Sequence, residues 1–217
     1  MFLKPGKKAK KTVSQDDIDI CLNFLKEKQL EEKIKDFYYP TQFWITLIKV
    51  LQYTGIRRNQ LLHIRICDIN VKDKKLLLIE DGCKTYNERE IPLLDDILKD
   101  IIELKKQLKM LNKKPKMQLF NIYHFKNNKS KSRAYKEMDF NRIDSFFQRL
   151  SKACGVKVTP HRFRHTLATN LMKHPDRNVT LVKELLGHSS LSTTLEYIAT
   201  DHEQIRSCLN EHFNQLK

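Results

Sequence analysis

The sequence predicts an α+β fold, mainly helical with one small sheet, on three observations. Apolar residues recur at helical spacing over most of the chain. Between residues 69 and 93 that period gives way to three short apolar runs separated by polar turns, the pattern of strands. Gly55, Gly82, Gly155 and Gly187 each fall where one such pattern ends, as residues that tolerate unusual backbone angles do. With 217 residues and 40% hydrophobic content, the chain is long enough to bury a core in one large domain with short extensions.

The elements follow in order. Residues 1–12 hold five lysines and a Pro-Gly pair and read as a basic, flexible lead-in. Ser14 followed by Asp17 resembles a capping box, with Asp in place of Glu, and predicts a helix to about residue 28 with Ile18, Cys21, Leu22 and Leu25 on one face. Pro40-Thr41 opens a second helix whose Trp44, Leu47, Ile48 and Leu51 point to a core, and Gly55 closes it. A third, short helix is expected over 58–64. Strands are expected over 69–71, 76–79 and 88–93, with turns at 72–74 and at Asp81-Gly82; Lys84 sits where such a tip projects. An amphipathic helix is expected over 94–111. Residues 113–136 carry eight lysines or arginines and no acid, interleaved with Phe120, Tyr123, Phe125 and Tyr135. That stretch is either a solvated loop or a DNA-facing surface, in which case Lys113, Lys114, Lys116, Lys126, Lys129, Lys131 and Arg133 are its contacts. Helices are expected over 141–154, after Pro160, and over 180–186. A last one over 202–213 has Ile205, Leu209 and Phe213 on one face.

The net charge of +15 and the pI near 9.6 favour a polyanion as partner, because each cation that meets a phosphate releases counterions. The five cysteines, Cys21, Cys67, Cys83, Cys154 and Cys208, are scattered and never form a CxxC pair. A disulfide frame and a zinc site are therefore not indicated, and a reducing, cytoplasmic, nucleoid-associated location is expected. No apolar run approaches the ~18 residues that span a bilayer, and the N-terminus lacks the apolar core of a secretory signal.

The chemistry lies in a scattered set: Arg57, Lys84, His161, Arg164, His188 and Tyr197. Attack on a phosphodiester builds negative charge on a five-coordinate phosphorane, and preorganised cationic donors lower that barrier most. Arginine suits the role through its planar, permanently charged fork, so Arg57 and Arg164 are candidate clamps. A phenol with a reference pKa near ~10 is a weak nucleophile that needs a proton acceptor close by; His161 is the candidate acceptor. Lys84 is the candidate donor to the departing 5′-oxygen, and His188 a candidate hydrogen-bond donor to the phosphorane. His161 and His165 stand at i, i+4, but no glutamate follows the first and no third ligand is evident, so neither metal nor other cofactor is expected.

These residues resemble the catalytic domain of the tyrosine recombinase, or phage integrase, family. The family's T-G-x-R-x-x-E/D box is matched by Thr54-Gly55-Ile56-Arg57-Arg58-Asn59-Gln60. Lys84 keeps the interval of the family's β-hairpin lysine to Pro92-Leu93, eight residues to the proline. His161-Arg162-Phe163-Arg164-His165 matches H-x-x-R-H, and Leu186-Gly187-His188 matches L-G-H, with Tyr197 nine residues further on. Tyr53, Tyr86 and Tyr123 compete as nucleophiles, but only Tyr197 follows L-G-H at that interval. The resemblance extends over about residues 13–215 and implies a helical domain with a three-stranded antiparallel sheet, the fold shared with type IB topoisomerases. It implies a covalent 3′-phosphotyrosyl intermediate, a free 5′-hydroxyl, and DNA integration or excision by a tetramer on two duplexes, with 202–213 a candidate for docking in trans.

Two departures qualify the resemblance. Gln60 replaces the family's acid, an exchange expected to slow the chemistry, and with His165 it is assigned a supporting place. The family's N-terminal core-binding domain is expected to be absent, leaving 13–217 as the catalytic domain. The alternatives are a non-catalytic DNA-binding accessory fragment and a type IB topoisomerase.

Overall fold

In the computed structural model, which describes residues 11–31, 33–34, 36–79, 88–125, 136–173, 178–187 and 190–195, helix α1 (Gln15–Leu30) begins where the sequence places it. The Ser14 hydroxyl accepts the Asp17 amide at 3.1 Å, satisfying one of the donors a helix start leaves open. Ile18, Cys21 and Leu25 are buried while Leu22 is half-buried.

Helix α2 (Thr41–Thr54) is buried on more than the predicted stripe. Trp44, Leu47, Ile48 and Leu51 are fully inaccessible, and Phe43, Ile45 and Val50 join them. A helix apolar almost all round belongs at the centre, and α2 packs against both α1 and α4 (Asp95–Met110). Its Trp44 ring stacks on Phe146 of α5 (Phe140–Cys154) at 4.0 Å. Phe43 meets Trp44 and Phe120 edge-on. Full burial of each such ring contributes about 1.5–3 kcal/mol.

After α3 (Arg58–His63) the chain forms β1 (Ile69–Asn70), β2 (Lys75–Ile79) and β3 (Glu88–Pro92), an antiparallel sheet in the order β1-β2-β3. Period-two burial of Leu76 and Leu78, with Ile91 opposite Leu76, fixes the register. The last described pair is Ile79–Glu88. The Asp81-Gly82 turn and Lys84 lie between them, outside the described residues.

Residues 118–122 are not a solvated loop, while Lys114 and Lys116 before them are exposed. Leu119, Phe120 and Ile122 are buried, as are Gln118, Asn121 and His124. The Gln118 amide donates to Leu62 O (2.6 Å) and Met138 O (3.0 Å) and accepts from Met138 N (2.7 Å). A basic charge count hid this, because the cations Lys114 and Lys116 are exposed at one end while the apolar residues between them and residue 125 face the core. Residues 126–135, including Tyr135, lie outside the described residues.

The chain divides into two compact units, residues 1–167 and 168–217. The boundary falls inside helix α6 (Pro160–Lys173). The second unit holds the end of α6, α7 (Val179–Leu186) and α8 (Leu191–Leu195), with Ala168, Met172, Val182 and Leu186 as its own small core. The sequence reading missed α8. The helix expected over 202–213 lies outside the described residues. Among the described residues no helix is long and apolar enough to cross a membrane.

Candidate active site

The site is built around the turn from α2 to α3. Gly55 ends α2 in the left-handed region (φ 60°, ψ 20°), its amide donating to Leu51 O at 3.1 Å. A side chain there would be strained, and glycine is not. Ile56 is buried and pins the turn. Arg57 follows as the N-cap of α3 with extended backbone. Its amide donates to the Gln60 side-chain oxygen at 2.9 Å, and Gln60 is itself only 7% exposed. Gln60 therefore orients the arginine's backbone through an acceptor oxygen that an amide supplies as well as a carboxylate does.

Arg164 reaches the same turn from α6. It is 6% exposed, and its Nη1 donates to the Gly55 carbonyl at 2.8 Å. Gly55 precedes Arg57 by two residues, so one backbone turn carries the first arginine and holds the second. The neighbouring Arg58 is engaged elsewhere. It pairs with Asp144 of α5 at 2.5 Å and its guanidinium lies 4.5 Å from the Phe140 ring. Among the two adjacent arginines, this leaves Arg57 for the turn.

Helix α6 is located by three sets of contacts. Phe163, 1% exposed, packs on Phe147 of α5 with ring centres 6.0 Å apart. Arg164 holds Gly55. On another face Thr166 hydrogen-bonds Val13. In this frame His161 is exposed in the first turn of α6, one turn before Arg164, and His165 is half-buried. A helix places residues 161, 164 and 165 within about 100° of one another, so they share the side on which Arg164 meets the turn.

Of the sequence-predicted residues, Arg57, Gln60, His161, Arg164 and His165 are thus gathered in the first unit. Lys84, His188 and Tyr197 lie outside the described residues, as do Lys126, Lys129, Lys131 and Arg133. Lys114 and Lys116 are exposed and Lys113 is half-buried. In the second unit, Gly187 terminates α7 in the left-handed region (φ 63°), immediately before His188. Sequence reasoning missed the Gly55 carbonyl as the anchor of Arg164, and Thr166 as a contact of the N-terminal segment. A backbone acceptor and a lone threonine leave no pattern to read.

What the arrangement offers is one guanidinium, that of Arg164, set by a backbone hydrogen bond, a second arginine whose backbone is set at the same turn, and an exposed imidazole one helical turn before Arg164. Charge-assisted donors held in advance of the reaction suit an anion on which further charge develops.

The Phage integrase family model matches residues 12–204. Among curated relatives, a chain named tyrosine recombinase XerC of Pseudomonas aeruginosa is 34% identical over 209 residues, covering 95% of this chain and 48% of its own length. A second of the same name, from Pseudomonas syringae, is 32% identical, covering 97% of this chain and 44% of its own length. The chain therefore spans about half the length of these relatives. Among solved structures, the Tn1549 transposon integrase in complex with transposon right end DNA superposes with a TM-score of 0.72 at 19% identity, over 97% of this chain and 68% of that one. At that identity the likeness speaks for the fold: helices around a small antiparallel sheet.

Proposed function

The chain belongs to the phage integrase family, and from that premise we propose that residues 13–217 are the DNA-cleaving and rejoining domain of a tyrosine-type site-specific recombinase. The observation that carries the reading is the turn 55–57, where Arg57 is presented and Arg164 is held by the Gly55 carbonyl at 2.8 Å. Two guanidiniums, that of Arg164 held in advance, would bind the non-bridging oxygens of a phosphodiester and gain as charge builds there.

In this reading the Tyr197 oxygen attacks the scissile phosphorus, and its proton passes to His161. The bond to the 5′-oxygen breaks, and Lys84 protonates that oxygen as it leaves. His188 donates a hydrogen bond to the phosphorane. The product is a 3′-phosphotyrosyl bond and a free 5′-hydroxyl, so the energy of the phosphodiester is kept and no nucleotide is consumed. Attack by a 5′-hydroxyl on the phosphotyrosyl bond reseals the strand or exchanges it with a second duplex. Gln60 supports Arg57, and His165 supports the neighbouring groups on α6.

The partner is double-stranded DNA. Lys113, Lys114 and Lys116, with Lys126, Lys129, Lys131 and Arg133, add phosphate contacts whose strength falls with salt. Assembly is a tetramer on paired sites, with 202–213 offering its apolar face to a neighbouring protomer.

A duplex nicked near the crossover, which after cleavage loses the short fragment bearing the 5′-hydroxyl, traps the intermediate. The wild-type protein is expected to give a covalent protein–DNA band on a denaturing gel, and Tyr197→Phe none. No band from the wild type on its own site rejects the cleavage reading. A band that persists in Tyr197→Phe rejects the nucleophile.

A further inference from the structure

The chain enters the fold on the helix that carries the candidate catalytic residues. The Val13 amide donates to Thr166 Oγ1 at 2.9 Å. The same hydroxyl lies 3.1 Å from Val13 O and 2.9 Å from Arg162 O, so its single proton is shared between two carbonyls. Arg162 Nη1 donates to Thr12 O at 2.7 Å. Val13 itself is 3% exposed, and one residue later Ser14 caps α1. Residues 12–13 are thus stitched to α6 through both backbone polar groups of Val13, a carbonyl of Thr12, and a buried side chain.

Arg162 and Thr166 stand at i, i+4 and share one face of α6. His161, Arg164 and His165 occupy the side adjacent to it, and the buried Phe163 lies on the side opposite theirs. A helix gripped along one face by an external segment resists rotation about its axis. Rotation is the motion that would swing Arg164 away from Gly55 and His161 away from its substrate. The segment just upstream is strongly basic, with five lysines and no acid in residues 1–12. Its attraction to a phosphate backbone is therefore applied through Thr12 and Val13 to α6.

We propose that Thr166 and Arg162 are positioning residues for strand cleavage: they clamp the entering chain at Thr12–Val13 and so set the rotation of α6 when DNA is bound. The inference rests on the cleavage reading above, and its test separates the two. Three variants are compared with wild type: Thr166→Val, which keeps shape and loses the hydroxyl; Thr166→Ser, which keeps it; and Arg162→Met, which keeps an apolar stem at a more exposed position. Single-turnover cleavage of the nicked duplex is measured at saturating protein, affinity by anisotropy, and amide hydrogen exchange over residues 160–167 with and without DNA.

Thr166→Val is expected to lower the cleavage rate of bound DNA about tenfold with affinity changed less than about threefold. Thr166→Ser is expected to restore the rate, and Arg162→Met to show a smaller loss of the same kind. DNA should slow exchange over 160–167 in wild type and Thr166→Ser and fail to do so in Thr166→Val. Unchanged cleavage in Thr166→Val and Arg162→Met overturns the proposal, as do equal losses in Thr166→Val and Thr166→Ser. A wild type that binds DNA without cleaving it rejects the cleavage reading, and the exchange arm then decides alone: the same slowing in Thr166→Val as in wild type overturns the clamp.

Discussion

Arg164 is fixed before any substrate arrives. Its guanidinium is nearly inaccessible and one N–H is committed to the Gly55 carbonyl, so orienting the group costs nothing at the moment of reaction. Arg164→Ala should therefore reduce cleavage of bound DNA by about 10²–10³, while affinity for the duplex falls only a few-fold. Comparing single-turnover rates with binding isotherms checks this; equal losses in both would reduce Arg164 to a phosphate-positioning contact. Gln60 needs a milder reading than its departure from the family's acid suggests. Its oxygen caps the Arg57 amide, a role that an amide performs, so what the exchange removes is a negative charge and not the geometry. A third residue gives a pH signature. Burial holds the His124 imidazole below its ordinary value, and its Nε2 donates to Gln118 O at 2.9 Å. The unfolded imidazole takes up a proton near its ordinary pKa of about 6.5, so the stability due to neutral His124 is fully present above that pH. It is lost as pH falls from there through the lower, folded value. Urea unfolding at pH 7.5 and 5.5 should show a larger drop in wild type than in His124→Asn.

Among the elements, the least conspicuous is the segment 112–125 with its Gln118 latch. Gln118 ties the end of α3 at Leu62 to the backbone at Met138, and Arg57 is the N-cap of α3. Gln118→Leu leaves two carbonyls and an amide without their partner in a buried place. It should lower unfolding free energy by about 2–4 kcal/mol, read from urea denaturation at pH 7.5; a loss within 0.5 kcal/mol, as expected of an ordinary surface site, would deny the latch. This element also marks the edge of what the sequence made legible. Helices α1, α2, α4, α5 and α7 and all three strands were readable because their apolar residues kept a period and their ends carried Ser14, Gly55, Gly155 or Gly187. Residues 113–125 keep no period, and their lysines suggested a surface where the apolar side chains form a wall of the core. Helix α8, Leu191–Leu195, is too short for a period to show. At the site, the arginines and histidines were legible as types in order. The Gly55 carbonyl, Thr12 and Val13 were not, since contacts made by backbone atoms across more than a hundred residues leave no trace in composition.

At the scale of the whole molecule, a charge of +15 on 217 residues predicts that binding to the proposed DNA partner is strongly salt-dependent. The logarithm of the binding constant should fall linearly with the logarithm of salt concentration, with a slope of about −0.9 for each phosphate neutralised. Removing the exposed pair Lys114 and Lys116 together should flatten that slope by about 1.8 if both meet phosphates, equally on specific and unrelated duplexes. An unchanged slope would place that end of the segment away from DNA. The fold brings α2, α3 and α6 to one turn, although Arg57 and Arg164 are separated by about half of the chain. The central claim is that this turn activates a phosphodiester for attack by Tyr197. It is tested most directly by digesting the trapped protein–DNA adduct and locating the modified residue by mass spectrometry, with the released fragment assayed for a 5′-hydroxyl that a polynucleotide kinase can label. The account predicts a nucleotide on Tyr197 joined through a 3′-phosphate, and a labelable 5′ end. A nucleotide on any other residue, or a linkage through the 5′-phosphate, would contradict it.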